Sequence, residues 1–200
     1  MASIIKTFIT ATFLVSLNMA FAQTKPAADI LGVPLTLSLG SLKYKLSWSS
    51  HPNANYYKEE FLPAGETSAK FKNMILLDAV TSSSDLDATV DGKLAELAEL
   101  QKTNPAIFFH EATAPAGERI IDFTITAYGA DGKTLAIAER NVYRYRLFTD
   151  KAGNKGMLLF AVAQRAYGNA IPAFLAKLKT TRETLVRLVR EFSIPAFTRL

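Results

Sequence analysis

The side chains that could do chemistry in this sequence fall into three small groups. The first joins His51 and His110 with Glu59, Glu60 and Glu111. A metal centre of imidazoles and carboxylates needs three or four converging ligands, spaced i, i+4 on a helix or i, i+2 on a strand. His110 and Glu111 are adjacent, so on a strand they point to opposite faces and only one can join a given site. The simpler reading is a hydrogen-bonded or exposed imidazole. The second group is Tyr57-Lys58-Glu59-Glu60-Phe61 with Gly65-Glu66. Glu59 shares the parity of Tyr57 and Phe61, which puts a carboxylate on the apolar side, where it needs a cation or backbone donors. No nucleophile or second acid accompanies it. Anchoring the turn after Pro63 is therefore favoured over general-base work for Glu59 or Glu66.

The third group is Arg140, Arg144 and Arg146 on one strand face, opposite Tyr143 and Tyr145. A row of guanidinium groups suits an anionic ligand, although the tyrosines point away from it. The competing reading is an edge strand that carries charge against aggregation. The candidate ligand-binding residues are thus Glu59, Glu66, Arg140, Arg144 and Arg146. No catalytic residue, cofactor or metal is assigned. The sequence has no Ser-His-Asp spacing, no Gly-rich phosphate loop and no cysteine at all, which removes thiol nucleophiles and thiolate metal sites.

The elements that must position these residues centre on Arg119–Ala166, read as three successive strands. In Arg119–Tyr128 the residues Ile121, Phe123 and Ile125 share one parity and Asp122, Thr124 and Thr126 the other, the period of a strand with one buried face. Thr134–Phe148 alternates likewise, but Glu139 and Asn141 fall on its apolar parity, so a bulge or bend is expected there. Gly156–Ala166 is apolar on both faces and reads as a central strand. Asp/Gly/Asn-rich links between them imply antiparallel pairing.

Before this meander come a hairpin over Leu35–Trp48, a loop at Ser49–Asn55, strands at Tyr56–Leu62 and Met74–Val80, and a helical turn at Glu66–Phe71. Asp85 caps a helix over Leu86–Lys102, whose stripe is Leu86, Val90, Leu94, Leu97 and Leu100. Ala106–Ala112 is a further strand. Asn169 caps a final helix with Pro172 in its first turn, which carries an apolar stripe from Ile171 to Phe192, opposite Lys177, Arg182, Arg187 and Arg190.

Of 200 residues, 49% are hydrophobic and 20% charged, and the net charge is +5. That is the balance of a globular chain with a mildly basic surface rather than a nucleic-acid footprint. Residues 1–22 read as a secretory signal: Lys6, a short apolar core from Phe8 to Leu17, then Ala20-Phe21-Ala22. The core is shorter than the ~20 residues of a membrane span. We expect cleavage after Ala22, one domain over 23–200, and a periplasmic or secreted protein with no transmembrane segment in the mature chain. Absence of cysteine fits a bacterial periplasm.

Tyr57-Lys-Glu-Glu-Phe-Leu-Pro-Ala-Gly-Glu66, followed by Phe71-Lys-Asn-Met74, resembles a set of uncharacterised exported proteobacterial proteins with an aromatic strand ending Glu-Tyr/Phe-x-Pro-x-Gly-Glu. The resemblance implies a fold similar to the PsbP/Mog1 type, whose domains act mostly in binding or assembly, and it brings no catalytic residues. The expected fold is α+β: an antiparallel sheet packed by two main helices, in a PsbP/Mog1-like sandwich. The expected function is a non-catalytic binding module of the cell envelope, with a small ligand or an envelope protein as partner and no nucleic acid. The alternatives are a periplasmic hydrolase using Glu59 or His110, and a membrane-surface protein using the basic last helix.

Overall fold

The computed structural model describes residues 27–81, 85–151 and 153–200. The expected leader over residues 1–22, with its cleavage point, lies outside the described residues. Eight strands form one antiparallel sheet: β1 (Thr36–Leu39), β2 (Leu42–Asn53), β3 (Tyr56–Leu62), β4 (Asn73–Val80), β5 (Phe108–Ala112), β6 (Glu118–Tyr128), β7 (Leu135–Thr149) and β8 (Lys155–Tyr167). Their spatial order is β1-β2-β3-β4-β8-β7-β6-β5. The β1–β4 meander therefore meets the β5–β8 meander along β4–β8, with Asn73 opposite Gln164 and Val80 opposite Met157. Helix α1 (Leu86–Thr103) crosses between the two meanders, and α2 (Ile171–Glu191) follows a 3-10 turn at Gly168–Ala170.

Each face of the sheet buries its own cluster. On one, Ile120, Val142, Leu158, Phe160 and Val162 pack with Leu185, Val186 and Val189 of α2. On the other, Ile121, Phe123, Tyr143, Tyr145 and Leu159 pack with Val90 and Leu97 of α1. This is period-two alternation with both parities used. β8 is buried almost end to end, as its double-sided apolar sequence requires.

The expected sandwich is corrected by these proportions. Among the described residues, eight strands and two α-helices make a sheet-dominated fold, not a balanced helix-packed PsbP/Mog1-type sandwich. The helices lie on the β5–β8 half. Over β1–β4 the α2 face is covered instead by irregular chain, with Leu31, Val33, Ile194 and Phe197 joining the core. Hydrophobic area can be removed from water by any apolar segment, and here loops do part of the work of helices.

Smaller expectations also change. β7 keeps unbroken register with β8 from Ile137 to Thr149, so no bulge sits at Glu139 or Asn141. His51, Pro52 and Asn53 belong to β2 rather than to a loop. Glu66–Phe71 is a turn with a Thr67–Lys70 bridge, not a helical turn. Asp85 does cap α1, its Oδ1 accepting from the Ala88 N–H at 3.1 Å. Ala170, not Asn169, occupies the cap of α2, and Pro172 stands in the first turn.

Candidate functional site

Glu59 sits on the apolar parity of β3, fully buried. Its Oε1 accepts from the backbone N–H of Ile30 at 2.7 Å and of Leu31 at 3.1 Å. The carboxylate therefore anchors the N-terminal segment, not the turn after Pro63. That turn belongs to Glu66, whose Oε2 accepts from the N–H of Lys72 at 2.6 Å and Asn73 at 2.9 Å. Burial pushes the Glu59 carboxyl up from its ordinary value, against the two N–H donors that pull it down. The N-terminal segment is clasped from the other side as well. Thr198 and Arg199 both donate their N–H to Leu31 O, and Thr198 Oγ1 donates to Gly32 O at 2.7 Å.

The three arginines of β7 lie on the α2 face of an interior strand, so the edge-strand reading fails. Arg140 is fully buried. Its Nε and Nη2 hold Asp122 at 2.9 and 3.1 Å, and Nη2 also donates to Arg182 O at 2.6 Å. Arg182 Nε reaches the same carboxylate at 2.8 Å, and its guanidinium lies 3.8 Å from the Phe108 ring centre. Arg144 is held by Glu118 and donates Nη1 to the carbonyls of Val189 at 3.0 Å and Phe192 at 2.8 Å. It satisfies the free carbonyls at the C-terminal end of α2, where a cation is favoured. Burial pulls the Arg146 guanidinium down, with the Glu118 charge opposing. The row thus fastens α2 to the sheet.

On the opposite face Glu139 pairs with Arg165 and accepts from Asn141 Nδ2 at 3.0 Å, while the Arg165 guanidinium stacks 4.0 Å from the Phe71 ring centre. Asp78 is also buried on this face. Its Oδ2 accepts from the Tyr56 hydroxyl at 2.8 Å, its Oδ1 has no hydrogen-bond partner among the described residues, and burial pushes its pKa up to about 7. Glu111 and His110 point to opposite faces, as adjacency dictates. Glu111 grips Arg119 at 2.6 and 2.7 Å, whereas His110 Nδ1 lies 3.8 Å from Asp122. Among the described residues no cluster of His and carboxylates could hold a metal ion, and no helix is long and apolar enough to cross a membrane.

What these ties leave open is a groove of about 320 Å³ between α2 and the β4–β8 seam. Phe174, Leu178, Leu185 and Leu188 of α2 face it at helical spacing. Asn73 and Gln164 face it from the strands, and Lys72 and Lys177 stand beside it. Sequence reasoning missed this site. Its only local signal was the breadth of the α2 stripe, whose first half (Phe174, Leu175, Leu178) stays half-buried while Leu185, Val186 and Val189 are buried.

No curated protein and no solved structure matches this chain closely enough to count. A family model matches residues 31–194, from the clasped N-terminal segment to the irregular chain after α2. That span includes every element that builds the sheet, the arginine row and the groove, and the chain belongs to this uncharacterised family.

Proposed function

We propose that the protein is a non-catalytic binding module of the bacterial cell envelope, exported on the residue 1–22 leader and cleaved after Ala22. The groove between α2 and β4–β8 carries this reading. It lies at the lower end of the ~300–1,000 Å³ range of small-molecule sites and combines an apolar wall with a few polar groups. The chemistry-bearing side chains point the same way. Glu59, Glu66, Arg140 and Arg144 each serve the backbone or another side chain as a fastener.

The hydrolase alternative finds little support. Glu59 is sealed beneath Ile30 and Leu31, and His110 lies five strand steps away, ~24 Å at the usual inter-strand spacing. Neither has a hydroxyl nucleophile hydrogen-bonded to it among the described residues. The membrane-surface alternative needs an exposed stripe on α2, yet none of its eight apolar residues is exposed.

Native mass spectrometry of the protein taken from its host tests the reading. The expected result is a mass beginning at Gln23 with a discrete adduct that Thr184→Trp, which fills the groove from an exposed position, removes. A mass that retains Met1 would overturn the export proposal. An adduct indifferent to Thr184→Trp would overturn the groove.

A further inference from the structure

We infer that the groove takes a free, single-chain anionic amphiphile, its acid group held at Lys72 and Lys177 and its chain lying toward Leu185 and Leu188. This rests on the binding-module reading and names its ligand class.

Register supplies the polarity of the groove. Gln164 pairs with Arg140, and Arg140 bonds to the Arg182 carbonyl, so Gln164 lies level with the middle of α2. Phe160 pairs with Arg144, which reaches Val189 and Phe192, so that end of β8 lies level with the end of α2. Asn73, opposite Gln164, and Lys72 beside it therefore share the end of the groove where Lys177 and Thr181 project. Leu185 and Leu188 occupy the other end. There the β1–β2 turn closes in, since a Cβ on Gly40 would stand 3.5 Å from Leu188 Cδ1.

Charge selects the sign of the ligand. Lys72 and Lys177 line the groove and no carboxylate does, while Arg165 borders it but turns its guanidinium to the opposite face. The acids adjoining its lining residues are already engaged: Glu66 by the N–H groups of Lys72 and Asn73, Glu139 by Arg165 and Asn141, and Glu183 by Arg190. Arg165 is committed to that pair. Among the described residues neither Lys72 nor Lys177 ion-pairs with a carboxylate. Two ammonium groups without counter-charges beside hydrogen-bonding amides on Asn73 and Gln164 favour an anionic head. The small volume suits one short chain and excludes a two-chain lipid.

Titration calorimetry of the mature chain with sodium decanoate, kept below its micelle concentration, tests this. One equivalent is expected to bind, and decyltrimethylammonium to bind at least tenfold more weakly. Lys72→Gln with Lys177→Gln is expected to cut decanoate affinity about tenfold and to remove the preference for the anion. Both lysines are exposed, so the variant keeps the fold. Equal affinity for the cation, or an unchanged double variant, overturns the inference. So does binding to phosphatidylglycerol vesicles with none to free decanoate, which would make the ligand a membrane headgroup. If decanoate fails while Thr184→Trp still removes a native adduct, the binding module stands and the anionic class falls. If both fail, both readings fall.

Discussion

Arg140 and Asp122 meet side on beneath α2, Nε to Oδ1 at 2.9 Å and Nη2 to Oδ2 at 3.1 Å, with neither side chain reaching solvent. Two-point pairing satisfies both charges in a place where either alone would be costly. Arg140→Met should therefore cost ~3–5 kcal/mol, because a buried carboxylate loses its main partner. Adding Asp122→Leu should recover most of the loss, since Arg182 is partly exposed and can turn to water. Urea unfolding midpoints of the single and double variants check this. A double variant as weak as the single one would show that the pair is not the source.

Asp78 makes stability depend on pH. Burial raises its folded pKa from 3.8 to about 7, with Lys58 and the Tyr56 hydroxyl opposing. The folded state then holds a proton that the unfolded chain releases, so the stabilisation is complete below pH ~4 and is lost as pH rises toward 7, by at most ~1.4 kcal/mol per pH unit. Glu59, also raised by burial, adds a slope of the same sign above its ordinary value. Asp78→Asn should flatten the curve between pH 4 and 7 in urea titrations at stepped pH. An unchanged slope would place the titration elsewhere.

Glu66 holds the start of β4 through two backbone N–H groups. Glu66→Ala should cost ~1–2 kcal/mol, and Glu66→Gln less, because the amide oxygen can still accept. Hydrogen exchange at the Lys72 and Asn73 amides is the sensitive readout. Both should speed up in the Ala variant while the β7–β8 amides stay protected.

Gly32 has φ +73°, and a Cβ there would lie 2.1 Å from Thr198 Oγ1 and 2.9 Å from Arg199 N. Gly32→Ala should loosen the clasp, at ~1–3 kcal/mol, and open Leu31 to protease. Gly65 has φ +82° but open space around it, so Gly65→Ala carries backbone strain alone and serves as the control. Limited proteolysis with thermal melts compares the two. Equal losses would mean that crowding against Thr198 contributes nothing.

Much of the sheet was legible because period two is local. Ile121, Phe123 and Ile125 announce β6 without reference to any other part of the chain. What misled was charge whose partner is distant. Glu139 on an apolar parity suggested a bulge, yet it is an ordinary strand residue whose cation, Arg165, arrives 26 residues later on β8. The arginine row suggested an edge because nothing nearby in sequence neutralises it. Asp122, Glu118 and the end of α2 do so only once β6, β7 and α2 are assembled. Glu59 was placed on the right face but given the wrong load, because Ile30 and Leu31 approach it only through tertiary folding. The groove left no trace for the same reason: Lys72 and Lys177 are brought together by the β4–β8 seam and the return of α2.

The seam where Thr198 meets Gly32 joins positions 166 residues apart. Loop-closure entropy makes a contact of that separation costly to form, so it is held only while both ends stay docked. Ile30 and Leu31 cap the Glu59 carboxylate, and Thr198 and Arg199 in turn hold Leu31. The last residues of the chain therefore help keep water from a carboxylate on β3, and releasing them would relieve the burial that raises its pKa.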